Sequence, residues 1–318
     1  MRVCRFADGD DVQLGFYADQ YVIPLGAAAA AHAQAGGEAL DLETSCLLSL
    51  LGPDGEYHES AGRLASWLDG DGAEQVDELK RDLADVELLV PVARPNKLFL
   101  LAGNYAKHIE EGGEIAAERA ETFPYVFMKP PTTTLTNPGA AIRIPSVNPN
   151  STDYELELAV IIGRGGKGIS EADALDHVAG YTVINDISDR KFRPNPGRKQ
   201  RDKDGFFDWL HGKWHDSFCP CGPCVVSADS IADPQQLSLQ LKVNGELRQD
   251  STTAAQIFPV AAVIEFISSF ITLEVGDIIS TGTPAGVGNS SGTYLKPGDE
   301  IEASIGSIGT LRTSVEAE

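Results

Sequence analysis

The chain has 318 residues, 42% hydrophobic and 23% charged, an ordinary globular composition with length for one large domain and a small one. Acidic residues number 47 against 25 basic ones, and the net charge of −22 argues against a nucleic-acid or anionic-membrane partner, which needs clustered Lys and Arg. No apolar run is long enough for a transmembrane helix and the N-terminus lacks the apolar core of a signal peptide, so a cytoplasmic protein is expected.

Residues 1–93 read as a small N-terminal α+β domain. A hairpin turns through Ala18-Asp19-Gln20, helical patterns follow around 27–35, 60–68 and 73–83, and Arg94-Pro95-Asn96 reads as a boundary turn. From 94 to 318, short β-rich runs alternate with Gly/Pro turns, and only 104–118, 171–177 and 261–270 look helical. Many strands with few crossover helices predict a strand-dominated α+β domain, not a doubly wound parallel sheet. Three of the five cysteines cluster as Cys219-Pro220-Cys221-Gly222-Pro223-Cys224. With no second cluster to complete a zinc site, they read as packed thiols in a Pro/Gly turn.

Five segments after residue 94 hold polar residues that a plain core does not need. In Gly103-Asn104-Tyr105-Ala106-Lys107-His108, a strand ends, Asn104 is placed to cap a helix, and His108 and Glu111 share one helix face. A carboxylate beside a histidine orients the imidazole and raises its basicity, as a general base requires; a surface His/Glu pair has the same spacing. Lys129 follows an apolar strand and precedes Pro130-Pro131, placed to pair with a substrate carboxylate or a metal ligand. In Asp153-Tyr154-Glu155-Leu156-Glu157-Leu158, the two-residue strand period puts Glu155 and Glu157 on one face. By itself Glu-x-Glu also fits an edge strand with a solvated acidic face. Two like charges on a buried face repel, and a hard divalent cation is the simplest remedy; Asp186, in the strand-like run 181–188, offers a third carboxylate. The stretch 190–203 carries Arg190, Lys191, Arg193, Arg198, Lys199, Arg201 and Lys203, and is long enough to act as a basic lid over an anionic small molecule. Last comes Thr281-Gly282-Thr283-Pro284-Ala285-Gly286-Val287-Gly288, whose glycines allow close approach of backbone and hydroxyl to a ligand.

Taken in order, these segments resemble the fumarylacetoacetate hydrolase family, in particular its acylpyruvate hydrolases and 2-hydroxyhepta-2,4-diene-1,7-dioate isomerase-like members. Val243-Asn244-Gly245-Glu246 with Arg248-Gln249 adds to the match, which runs from about residue 94 to the C-terminus. The resemblance implies a mixed β-sandwich roll as the catalytic domain, usually paired as a homodimer, and a site for Mg²⁺, Mn²⁺ or Ca²⁺. By motif position it implies Glu155, Glu157 and Asp186 as metal ligands, His108 with Glu111 as the water-activating pair, and Lys213 as a lid-side catalytic lysine. Thr283 corresponds to a contact with the substrate carboxylate, and Lys129, Arg190 and Arg193 join it as expected substrate-binding residues. The chain departs from the family pattern at Trp214-His215, where smaller residues are expected, at Arg193, near a usual glutamine, and in the length of the 190–210 loop.

The reaction expected on this reading is hydrolytic C–C cleavage of an acylpyruvate-like or 2,4-diketo (sugar) acid, a small anionic 2-oxo acid. The metal stabilises the enolate, His108 with Glu111 activates water, and Lys213 stabilises charge or protonates the carbanion. The same site without hydrolysis serves a lyase or decarboxylase, or a hydratase or isomerase. A more distant alternative is a non-catalytic protein with a structural metal.

Overall fold

The computed structural model describes residues 1–40, 42 and 46–318. Its fold is α+β and strand-dominated, as expected. Among the described residues, a 12-stranded mixed sheet carries the site. Its path runs Arg81–Asp82, Tyr21–Pro24, Asp11–Tyr17, Arg2–Asp8, Cys219–Ser227, Val178–Asn185, Leu156–Ile162, Ile278–Ser280, Leu98–Ala102 and Tyr125–Met128. A five-stranded sheet, Glu246–Thr252, Ser238–Val243, Glu300–Ile305, Gly309–Ala317 and Ile142–Ile144, packs against it. Residues 1–93 and 94–318 share the large sheet, because Arg2–Asp8 pairs antiparallel with Cys219–Ser227.

The central strand Leu156–Ile162 is buried along its whole length. Leu158, Val160 and Ile162 join one core with Leu239, Leu241, Ile301 and Leu311 of the smaller sheet. Ala159 and Ile161 face the other way, into a core with Leu25, Leu50 and Leu64 of the leading segment. A strand covered on both faces reads as a continuous apolar run, and Glu157 interrupts that run with a carboxylate that is fully buried.

The helices Leu25–Gln34, His58–Asp69 and Val260–Phe270 fall close to the stretches expected to be helical. The expected helix 104–118 is shorter, Ala106–Glu111, and Asn104 does not cap it. Asn104 is buried and instead donates its amide to the carbonyls of Phe258 and Thr281 and accepts the Phe258 N–H, fastening three chain segments. The loop expected over 190–210 ends in a helix, Asp204–His211, which follows the lid stretch 190–203. Arg198 bridges Asp204 and Asp208, one turn apart on that helix, which local periodicity does not reveal. Cys219, Cys221 and Cys224 are buried in a strand rather than a turn, and burial pushes the Cys219 and Cys224 thiols up to about 12, so they remain protonated packing groups. Among the described residues no helix is long and apolar enough to cross a membrane.

Candidate metal centre and catalytic dyad

Glu155 lies in a break between the short strand Thr152–Asp153 and the strand Leu156–Ile162. Its backbone is held there by the Asn185 side chain, which accepts the Glu155 N–H at 2.8 Å, and by the Asp186 N–H, which donates to the Glu155 carbonyl at 2.9 Å. These bonds tie the ends of the neighbouring strands together and bring Glu155, Glu157 and Asp186 to one place. One oxygen of each lies within 4.8 Å of the others, and all three residues are buried.

Cations surround the cage. Lys213 Nζ is 3.0 Å from Glu155 Oε1 and 2.5 Å from Asp186 Oδ2. Lys129 Nζ stands 2.5 Å from Asp186 Oδ1 and donates to the carbonyls of Ile187 at 2.8 Å and Phe218 at 2.5 Å. Of the two partners expected for Lys129, the structure supplies the cage carboxylate: its side chain is fully buried, beneath the site. Arg190 reaches Asp153 at 2.8 Å and Glu155 at 2.7 Å. Ser188 donates to Glu155 Oε1 at 2.6 Å, while Ser280 and the Gly282 N–H donate to Glu157 Oε2 at 2.5 and 2.7 Å.

The electrostatics divide the two glutamates. Burial pushes Glu155 up, but Arg190, Lys213 and His108 outweigh it and hold the carboxyl below its usual range. Burial also pushes Glu157 up, and there the neighbouring charges of Asp186 and Glu155 push the same way, so it stands well above its usual range. Burial alone would lower the Lys213 ammonium; Asp186 and Glu155 reverse this, and its net shift is upward. Glu157 Oε1 is buried with no hydrogen-bond partner among the described residues. Buried carboxylate oxygens are expensive to leave unpaired. An all-oxygen donor set, an unpartnered buried carboxylate oxygen and four carboxylates against three cations (Asp153, Glu155, Glu157 and Asp186; Lys129, Arg190 and Lys213) fit a hard divalent cation.

The dyad stands beside the cage. His108 Nδ1 lies 2.8 Å from Glu111 Oε1, and Glu111 Oε2 accepts the Gly286 N–H at 2.9 Å. Burial raises Glu111, but the bonds from His108 and Gly286 overcome it and hold the carboxyl below its usual range. His108, Glu111 and Arg190 line one cavity of about 430 Å³.

Two other expected site residues, Thr283 and Arg193, have different surroundings. Thr283 is buried and accepts a hydrogen bond from Gln249 at 2.8 Å, so its hydroxyl braces the 281–288 turn. Arg193 is exposed on the lid stretch, outside the cage and the cavity wall. Much of the lid's positive charge is answered locally: Arg198 and Arg201 pair with Asp204, Arg198 also with Asp208, and Lys191 sits over the Tyr294 ring. Sequence reasoning passed over Asp153 as a ligand. Its carboxylate is nevertheless buried, accepting the N–H groups of Gly288 at 2.7 Å and Asn289 at 2.9 Å while pairing with Arg190. Its strand parity with Glu155 was the available signal.

The family model for the C-terminal domain of fumarylacetoacetate (FAA) hydrolase matches residues 97–316. Oxaloacetate tautomerase YisK of Bacillus subtilis is 38% identical over 281 residues, 86% of this chain and 88% of that protein. Mitochondrial oxaloacetate tautomerase FAHD2B of Bos taurus is 39% identical over 234 residues, 73% of this chain and 70% of its own. Maleylpyruvate hydrolase from Sphingobium sp. SYK-6, solved in complex with manganese(II) ion and pyruvate, superposes with a TM-score of 0.69 at 28% identity, covering 100% of this chain and 99% of that one. The chain belongs to the fumarylacetoacetate hydrolase family.

Proposed function

We propose that this chain catalyses proton transfer at C3 of a 2-oxo acid, interconverting its keto and enol forms. The observation that carries the reading is the His108–Glu111 dyad. Glu111 fixes Nδ1 and is itself fixed by the Gly286 N–H, so the imidazole lines the cavity with Nε2 left to exchange a proton with a ligand. Glu155, Glu157 and Asp186 would hold a divalent cation, which supplies Lewis-acid stabilisation to the oxygen that gains negative charge. His108 takes the proton from C3 of the keto form and delivers it to the C2 oxygen, and in the reverse direction it takes the enol O–H proton and gives it to C3. Glu111 keeps the Nδ1–H tautomer and offsets the charge of the imidazolium. Lys213 and Arg190 keep the surroundings of the cage cationic and offset the carboxylate of the bound acid. The names of YisK and FAHD2B, both oxaloacetate tautomerases, support this reading.

A second reading is hydrolytic C–C cleavage of an acylpyruvate. His108 then deprotonates a water that attacks the distal carbonyl. The bond from that carbon to C3 breaks, its electron pair stays with C3 and takes the proton held by His108, and pyruvate and a second acid leave. The room in the cavity beyond the dyad favours it, as does the end-to-end likeness to maleylpyruvate hydrolase.

One experiment separates them. Enzyme loaded with Mn²⁺ is mixed with the enol form of oxaloacetate, and separately with acetylpyruvate coupled to pyruvate detection. Accelerated enol decay without pyruvate release from acetylpyruvate supports the tautomerase. Pyruvate release from acetylpyruvate supports the hydrolase, and neither result would overturn both.

A further inference from the structure

The cavity that begins at His108 continues into a wall of a different character. Ile115, Phe123, Tyr125, Phe258, Val287 and Trp209 of the lid helix line it together with the dyad. Phe123 and Tyr125 are 58% and 63% exposed, yet they meet edge to face at 5.5 Å, and Phe123 stacks on Phe266 at 6.0 Å. Trp209 is set from below by Phe127, ring to ring at 4.9 Å, and the Lys213 ammonium lies 5.8 Å from its ring centre. The aromatic wall is therefore continuous with the catalytic end through Trp209 and Lys213. The carboxylates on the lining are Glu111 and Glu114, which repel an anion; of the basic groups there, His108 is paired with Glu111 and the Arg190 guanidinium is already engaged by Asp153 and Glu155.

We infer that this wall is the subsite for the substrate's distal arm, and that the arm it takes is uncharged and apolar or aromatic, not a second carboxylate. The inference rests on the reading of the acidic cage as the site of the 2-oxo acid head, and extends the substrate range beyond a four-carbon diacid. Apolar rings gain by covering the exposed faces of Phe123 and Tyr125, whereas a carboxylate there would lose water and meet Glu114 without a free cation. Phe123, Tyr125 and Trp209 are the specificity-determining residues.

Three oxamic acids with the same head but different arms test this by calorimetry on the Mn²⁺-loaded protein. Oxamate has no arm, oxanilate carries a phenyl ring and N-oxalylglycine carries a carboxylate. Oxanilate should bind at least about tenfold more tightly than N-oxalylglycine, a margin that needs only roughly 60 Å² of apolar surface removed from water. Phe123→Ala, at an exposed position, should cancel most of that preference and leave oxamate affinity unchanged. N-oxalylglycine binding as tightly as oxanilate would overturn the inference. So would a Phe123→Ala variant that weakens all three alike, or one that alters sedimentation mass but not selectivity, since the wall would then serve subunit contact. Failure of oxamate itself to bind would overturn the reading of the cage and this inference with it; binding of oxamate without arm selectivity would overturn the arm subsite alone.

Discussion

Replacing Lys129 with Met tests whether the buried cations exist to hold the acidic cage together. The change keeps the length of the side chain and removes its charge. Lys129 is fully buried, its ammonium lies 2.5 Å from Asp186 Oδ1, and it satisfies the carbonyls of Ile187 and Phe218. Breaking a buried ion pair from one side leaves an uncompensated charge and costs about 3–5 kcal/mol. In a chain of this size, with about 2 °C of melting temperature per kcal/mol, the loss is roughly 6–10 °C. The cage then lacks one of its positive charges, so a bound cation should compensate in part. Thermal denaturation followed by circular dichroism, in EDTA and in saturating Mn²⁺, reads both effects. The expected result is a large deficit in EDTA that narrows in Mn²⁺, because ligand binding to the folded state adds stability by mass action. A deficit below about 2 °C in EDTA, or one that Mn²⁺ widens, would refute the argument.

Four further outcomes are expected. His108→Ala should lower kcat by about 10²–10⁴-fold while Mn²⁺ affinity by calorimetry stays as in the wild type, since His108 is outside the carboxylate cage. Glu157→Gln should weaken Mn²⁺ binding at least about tenfold, the lower end for loss of a supporting group at a metal site, and the deficit in activity should shrink as Mn²⁺ is raised. Asp153→Ala leaves Arg190 short of a partner and frees three backbone N–H groups, those of Tyr154, Gly288 and Asn289, so it should cost about 3–5 kcal/mol in urea denaturation. Glu111 has its folded pKa depressed, so its stabilising contribution is full above the ordinary carboxyl value of 4.5 and is lost as pH falls through the folded value. The stability gap between wild type and Glu111→Gln, measured by denaturant midpoints, should therefore be level from pH 6 to 8 and close in acid; a gap that grows in acid would contradict the assignment.

Two carboxylates of the cage, Glu155 and Glu157, were legible because their spacing is local. A carboxylate two residues from another in an apolar run is costly in any strand, and the repair chemistry can be named from residue types alone. The dyad was legible for the same reason, as His108 and Glu111 are three apart on a helix that does form. What surrounds them was hidden because it is assembled across long sequence distances. Ser280 donates to Glu157 from 123 residues away, and Lys129, which pairs with Asp186, also bonds the next carbonyl, Ile187, 58 residues along the chain. Asn104 has the residue type of a helix cap, but burial gave its amide to Phe258 and Thr281 instead. The lid helix Asp204–His211 follows a Pro-, Gly- and charge-rich stretch, and the ion pairs of Arg198 that anchor it cannot be read from hydrophobic periodicity. The aromatic wall was missed because Trp209 of the lid helix is brought from far along the chain to the segment that enters the strand Tyr125–Met128 with Phe123 and Tyr125.

The central claim is that the acidic cage and the His108–Glu111 dyad work as one metal-dependent proton-transfer site on 2-oxo acids. The most direct measurement follows the decay of the enol forms of phenylpyruvate and oxaloacetate with protein stripped by EDTA and then reloaded with Mn²⁺. The account predicts acceleration that disappears on stripping, returns with Mn²⁺, and is lost in His108→Ala at full Mn²⁺ occupancy. Enol decay that is equally fast with stripped protein, or unaffected by His108→Ala, would contradict it.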